Sequence, residues 1–123
     1  MKTIRPDGTP AAQGDVLFRS TDKTIPASYV EVPHKGRLVV AHSETQHDHA
    51  IDDVGVAMFA DPKDPFVCYL RFTEALIGGG ADVIHHRPYD THETHRLIGK
   101  SGDVWEVRRQ REWAPEGWVR VQD

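Results

Sequence analysis

Eight histidines stand out in this 123-residue sequence, and most of them fall in two short clusters. The first cluster begins at His42 and ends in a His-x-His pair, His47 and His49. In a β-strand these two imidazoles project to the same face, with their Cα atoms roughly 6–7 Å apart. Because a zinc–nitrogen bond is only about 2.0–2.1 Å long, two imidazoles at this spacing can converge on one ion.

The second cluster runs from His85 to His95 and contains a His-x-x-His pair, His92 and His95. These two side chains share a face only where the chain bends or makes a helical turn. A fold that brings the two clusters together supplies four nitrogen ligands, and an all-imidazole set suits zinc best. The spacing therefore predicts a transition-metal site, with Zn²⁺ as the expected ion and His47, His49, His92 and His95 as its ligands.

Further polar side chains flank these pairs and are candidates for additional ligands, for groups that orient a ligand, or for a base acting on a metal-bound water. They are His42, Glu44, His85, His86, Asp90 and Glu93. Because His85 and His86 are adjacent, at most one of them can face inward from a strand. The alternative interpretation is that the histidines are solvated loop residues with no ligand.

The elements that would position these residues have a hydrophobic period of two, which is typical of strands. Residues 66–73 alternate between two faces, residues 54–60 alternate similarly, and the Pro- and Asp-rich residues 61–65 between them predict a hairpin. Similar runs occupy residues 15–19, 28–32, 37–42, 82–86, 104–111 and 118–121. The pattern predicts an all-β fold, a single small antiparallel barrel or sandwich of about eight short strands. Residues 1–13 are expected to form an N-terminal arm and residues 14–123 the β domain.

Composition excludes several classes of function. The formal net charge is −4, which argues against nucleic acid as the main partner because phosphate binding needs a surplus of Lys and Arg. A mean hydropathy of −0.54 argues against a membrane protein. The single cysteine, Cys68, allows no internal disulfide, and the start of the chain lacks the apolar stretch of a signal peptide, so we expect a cytoplasmic protein.

The segment from Asp103 onward has two opposing interpretations. With a period of two, one side of a strand carries Trp105, Arg109, Arg111 and Trp113, which could form a stacking surface for a nucleobase or for the carboxylates of a protein partner. Alternatively, the tryptophans close the end of the core and the arginines pair with nearby acids. No nucleophile elbow, phosphate-binding glycine loop or dinucleotide fingerprint accompanies them, so the sequence indicates a site more clearly than a reaction.

Four motifs in order resemble a loosely defined family of small proteins from bacteria and their phages. They are residues 13–17 (QGDVL), 41–49 (AHSETQHDH), 92–95 (HETH) and 109–113 (RQREW). The resemblance implies a phage or prophage setting, in the bacterial cytoplasm or the phage particle, and matches His47, His49, His92 and His95 residue by residue. Two hypotheses follow: a non-enzymatic structural or protein-interaction module with a closed zinc site, or a cupin-like metal-dependent enzyme with an open coordination position.

Overall fold

The computed structural model describes residues 1–41, 48–86, 91–109, 111–114 and 117–120. These residues form thirteen strands and one short 3₁₀ turn at Ile77–Gly79, with no α-helix among them. The strands are β1 (Lys2–Ile4), β2 (Ala11–Gln13), β3 (Val16–Thr21), β4 (Val30–Val32), β5 (Leu38–Ala41), β6 (His49–Ile51), β7 (Val56–Asp61), β8 (Asp64–Phe72), β9 (Gly80–His86), β10 (Thr91–Ile98), β11 (Val104–Arg109), β12 (Arg111–Ala114) and β13 (Gly117–Arg120). The predicted all-β class is confirmed.

Two sheets carry the fold. One has five strands in the order β1-β10-β9-β6-β5, and the other has six in the order β2-β3-β11-β8-β7-β4. Every neighbouring pair in these sheets is antiparallel except β1 and β10, which are parallel. Strands β12 and β13 form a separate hairpin. In the described residues the sheets do not close into a barrel, so the sandwich alternative of the prediction is the correct one.

The core lies between the inner faces of the two sheets, where alternate residues of each strand point inward. Leu38, Ile51, Val83 and Leu97 come from the five-stranded sheet, and Phe18, Leu70, Phe72 and Trp105 come from the six-stranded sheet. All eight side chains are at most 1% exposed. Both sheets contribute side chains to one continuous hydrophobic cluster, which shows that the two layers pack face to face.

The predicted hairpin is confirmed as β7 and β8, with Val56 opposite Phe72 in the register. Cys68, Leu70 and Phe72 are buried and Arg71 is exposed, as the alternation predicts, but Val67 on the opposite face is also buried. Burial raises the pKa of the Cys68 thiol to about 12. Cys68 is therefore an unreactive core residue.

The first thirteen residues, expected to form an arm apart from the β domain, belong to both sheets. β1 pairs with β10 and buries Ile4, and β2 pairs with β3. The apolar pattern does not reveal these strands because an edge strand gains its hydrogen bonds through the backbone, whatever its side chains. In the described part of the chain, no helix is both long enough and apolar enough to cross a lipid bilayer.

Candidate functional site

Buried polar side chains from both sheets meet at one end of the sandwich, which we call the polar end and define by Gln13, Asp15, His49, His85 and Arg109. His49, the first residue of β6, lies directly opposite His85 on β9. Arg109, the last residue of β11, lies opposite Val16 of β3, which also faces Gln13 of β2. A hydrogen bond between Gln13 and His49 links the two groups across the sandwich.

Gln13 holds His49 in one orientation. The Gln13 side-chain amide donates from Nε2 to the carbonyl oxygen of Val83 at 3.0 Å, so its Oε1 is the atom that lies 2.8 Å from Nδ1 of His49. Because Oε1 can only accept, Nδ1 of His49 carries the proton and donates. Nε2 is thereby left as the ring nitrogen available to a proton or to a metal.

Asp15 faces that second nitrogen. It follows Gly14 in the short connection between β2 and β3, and its Oδ1 lies 3.6 Å from Nε2 of His49. Both side chains are at most 1% exposed. Burying a carboxylate this completely is costly unless a positive group accompanies it. The contact is an ion pair when the His49 ring is protonated.

His85 packs on the face of the His49 ring. The ring centroids are 4.0 Å apart and the planes are inclined by 16°. The in-plane nitrogen lone pairs of two nearly parallel rings run side by side instead of converging on one point. In this arrangement the His85 ring packs against the His49 ring and fixes its plane.

His95 is also fully buried, but on a different strand. It lies on β10 opposite Val83, and β9 separates β10 from β6 in the sheet. Two strand spacings and a two-residue offset place the Cα atoms of His95 and His49 roughly 11–12 Å apart. Within the described ranges, no three His, Cys, Asp or Glu side chains lie close enough together to hold a metal ion.

The polar end as defined above does not include several of the predicted site residues. His42, Glu44, His47 and Asp90 fall outside the described residues. His86, His92, Glu93, Arg111 and Trp113 lie in strands β9, β10 and β12, for which the structure describes the backbone at these positions. Their roles as ligands or contact residues stay predictions.

The alternating pattern predicted a partner-binding surface that includes Trp105 and Arg109, and the structure differs from that prediction. The Trp105 side chain is fully buried in the core, so it is not available to a partner on the surface. Arg109 shares its inward-facing side of β11 and belongs to the polar end. The alternative interpretation, in which Trp105 closes the core, agrees with its burial.

A cavity of about 320 Å³ lies between the sheets at the same end. Its walls include Val39, Ala41, Met58, Cys68 and Arg109. Ala41 pairs with His49, and Arg109 pairs with Val16, so two strands of the polar end continue into the cavity wall. The wall is mainly apolar and also contains Arg109, Asp61 and Asp64.

Sequence reasoning missed Gln13 and Asp15 as site residues. Neither residue is near a histidine in the chain, and their contact with His49 depends on how the two sheets pack. The available signal is the QGDV motif, because two buried polar residues at a tight connection between strands have no role in a simple apolar core.

The fold and the polar end define a two-sheet β-sandwich with a buried imidazole–carboxylate pair. The chain belongs to a family described as a domain of unknown function, DUF8820, which matches residues 12–110. The match extends over Gln13, Asp15, His49, His85 and Arg109. Comparison with curated proteins and with solved structures gives no significant match.

Proposed function

We propose that this protein is a metal-binding β-sandwich module that holds a divalent transition-metal ion, zinc by preference, at the polar end. The observation that carries the proposal is the convergence of separate motifs there. Residues 13–17 supply Gln13, residues 41–49 supply His49, and residues 109–113 supply Arg109. Three segments far apart in the chain, each singled out by its sequence, contribute polar residues to one end of the fold, with Gln13 and His49 buried and Arg109 partly buried.

The chemistry of the polar end supports metal binding over a purely structural network. An imidazole whose Nδ1–H donates to a fixed acceptor has the arrangement that metal-ligating histidines adopt. In our proposal His49 is a ligand, and His47 is a second ligand supplied by the His-x-His pair. The proposal assigns His92 and His95, on β10 two strands away from β6, to the same site or to its support.

Metal content tests this proposal directly. The full chain is purified without an affinity tag that contains histidine, and bound metals are measured by inductively coupled plasma mass spectrometry. We expect about one equivalent of zinc or another transition metal. The chelated protein should regain the metal in isothermal titration calorimetry, and His34→Gln should bind as the wild type does because His34 contacts the Asp53 carbonyl instead. A chain that neither contains nor takes up a metal overturns the proposal.

As an interaction module, the protein would act in a bacterial or phage assembly, as the resemblance of its motifs implies. Hairpin β12–β13 supports this role because its two strands pair with each other and with neither sheet among the described pairings. In the proposal this hairpin presents Arg111 and Trp113 to a protein partner. On this view the metal contributes folding free energy, and chelation should lower the melting temperature.

A second candidate is a metal-dependent enzyme acting on a small molecule, and the cavity beside the polar end favours it. A space of about 320 Å³ holds a small substrate, and the charged residues in its wall, Arg109 with Asp61 and Asp64, suit a polar one. The double variant His47→Ala/His49→Ala separates the two candidates. A structural site predicts a lower free energy of unfolding, whereas an enzyme predicts a retained fold with loss of metal and of substrate binding.

A further inference from the structure

The cavity between the sheets lies along the side of the sandwich where both sheets end. β4 is the last strand of the six-stranded sheet, and β5 is the last strand of the five-stranded sheet. Val32 of β4 and Val39 of β5 both line the cavity. Within the wall, the Cys68 Sγ atom lies 3.8 Å from the carbonyl oxygen of Val40, so the two sheets meet there. Edge strands of both sheets therefore border the cavity.

Small side chains create this cavity. Elsewhere the core is filled by large side chains such as Phe18, Phe72 and Trp105, and none of these three lines the cavity. Protein interiors seldom contain voids larger than a water molecule, and this space of about 320 Å³ is about ten times the volume of a water molecule in the liquid. Its apolar wall is built mainly from valine, alanine and cysteine, including Val39, Val40, Ala41, Ala60, Cys68 and Val107.

Two irregularities in the strand pairing lie in the wall of the cavity. Val40 of β5 is an extra residue between two residues whose partners on β6 are adjacent, as in a β-bulge. The register of β7 and β8 shifts directly after the pairing of Ala60 with Cys68. Bulges bend a strand and redirect its side chains, and they are common beside functional sites. The backbone as well as the choice of small residues therefore shapes this space.

The composition of the wall indicates the chemistry of a ligand. A buried water needs about two to four polar partners, whereas an apolar group gains dispersion contacts in a mainly apolar cavity. The charged residues among the described wall are two carboxylates, Asp61 and Asp64, and one guanidinium, Arg109. Both carboxylates accept backbone N–H groups of the β7–β8 turn, from Lys63 and Phe66, which fixes their positions. The excess of negative groups disfavours a ligand with an anionic end.

We infer that this cavity is a binding site for a small, uncharged amphipathic molecule. Its apolar body lies between the sheets, and its hydroxyl or amide end lies beside the charged residues. A volume near 320 Å³ is in the range of small-molecule sites. The inference goes beyond the proposed metal site, since no histidine is among the described residues that line the cavity. For the second candidate function it names the class of substrate.

Titration of the full chain with 1-octanol, followed by calorimetry, tests the inference. We expect saturable binding and an affinity at least about tenfold lower in Ala60→Phe, because the added ring occupies the apolar space. Ala12→Phe is the matched control, since Ala12 is exposed on β2 at the far edge of the sheet that contains Ala60. Equal affinity in Ala60→Phe and the wild type overturns the inference.

The same titration after chelation separates this site from the metal. Binding of 1-octanol should be unchanged when the protein has been treated with a chelator. A wild type that binds 1-octanol but no metal keeps the inference and overturns the proposed metal site. A wild type that binds metal but shows no saturable binding of 1-octanol overturns the inference alone.

Octanoate tests the uncharged end of the ligand. It has a chain of the same length and a carboxylate in place of the hydroxyl. We expect its affinity to be at least about tenfold lower, because a charge leaving water costs more than a hydroxyl and meets an excess of carboxylates in the wall. Octanoate binding as tight as that of 1-octanol overturns the assignment of an uncharged end.

A measurement on the wild type avoids variants that fail to fold. Isotope-filtered NMR of labelled protein with unlabelled 1-octanol should show contacts from the methylene groups of the ligand to the methyl groups of Val39, Met58 and Val107, which line the cavity. Bound 1-octanol that contacts none of these methyl groups overturns the inference.

Discussion

His49 on β6 lies directly opposite His85 on β9, and the two imidazole rings stack with their centroids 4.0 Å apart. Both side chains are buried, at 0% and 3% exposure. The stack fixes the relative orientation of the two rings at the polar end.

Replacing His85 tests the role of this stack. His85→Ala removes the imidazole ring that packs against His49. We expect a loss of about 2 kcal/mol or more in the free energy of unfolding because a buried cavity remains. His85→Phe keeps a flat ring of similar size and should cost less, about 1.5 kcal/mol at most. Urea unfolding followed by circular dichroism measures both. Equal losses in the two variants would show that the ring stack contributes nothing specific.

The Cys68 thiol should resist modification in the folded protein. Desolvation by burial raises its pKa to about 12, so the reactive thiolate is scarce at neutral pH. We expect negligible reaction with a chromogenic disulfide reagent at pH 8 until guanidinium unfolds the chain, when one thiol per chain reacts. Rapid reaction of the native protein would contradict the burial of this residue.

The raised pKa of Cys68 also predicts that the free energy of unfolding falls at alkaline pH. Because its pKa is raised in the folded state, its contribution is complete below the unfolded pKa near 9.0 and is lost as the pH rises toward about 12. Unfolding free energies measured from pH 8 to pH 11 should fall less in Cys68→Ala than in the wild type. If the free energies of unfolding of the two proteins change in parallel with pH, the Cys68 thiol does not explain the alkaline loss of stability.

Glu106 anchors an ion-pair network on the outer face of the six-stranded sheet. Its carboxylate lies 2.7 Å from Nε of Arg108 and 3.3 Å from Nη2 of Arg19, and the Tyr69 hydroxyl donates to it. Burial acts to raise the pKa of Glu106, but the hydrogen bond and charge of Arg108, together with Arg19 and Tyr69, outweigh burial and lower it. Since both arginines are about half exposed, we expect Glu106→Gln to cost only about 1 kcal/mol at pH 7.

The lowered pKa of Glu106 fixes the direction of its pH dependence. The stabilisation is complete above the ordinary value of 4.5 and disappears as the pH falls through the lower folded-state pKa. Acid unfolding between pH 6 and pH 2 should therefore be steeper in the wild type than in Glu106→Gln. Identical pH profiles would show that this network is not coupled to folding.

Alanine substitutions at two neighbouring glycines distinguish the cost of a steric clash from the cost of backbone strain. A Cβ at Gly80 would overlap the Leu97 carbonyl oxygen in the ladder between β9 and β10, whereas a Cβ at Gly79 would meet no atom within 4 Å. Gly79 has a φ of +78°, so alanine there costs about 1 kcal/mol for the left-handed backbone alone. We expect Gly80→Ala to cost more, up to about 3 kcal/mol, because backbone must move. Thermal unfolding compares the two, and a smaller loss for Gly80→Ala would contradict the strand register.

The fold class was predictable from the sequence because a period of two identifies strands that bury one face. The hairpin at β7 and β8 is the clearest case, since its alternation is long and its connection is rich in proline and aspartate. β1, β2 and β6 were missed because three residues are too few to show a period. β10 was missed because its first half, residues 91–95, is almost entirely polar.

The site was predictable only in part. The His-x-His pattern singled out His49, and the adjacency argument allowed one of His85 and His86 to face inward, which is His85. The contact of Gln13 and Asp15 with His49 was not predictable. It arises from the packing of one sheet on the other, and the sequence contains no local signal for the distance between residues 36 positions apart.

The pairing of β3 with β11 and of β1 with β10 has a consequence for biosynthesis. Residues 2–4 find their partners only at residues 95–97, and residues 16–21, of which 16–18 pair locally with β2, find their second partner at 104–109. On a ribosome β1 must wait unpaired, and β3 must wait for its second neighbour, until nearly the whole sandwich has emerged from the exit tunnel. Long-range strand pairing of this kind is slow, on the order of milliseconds to seconds.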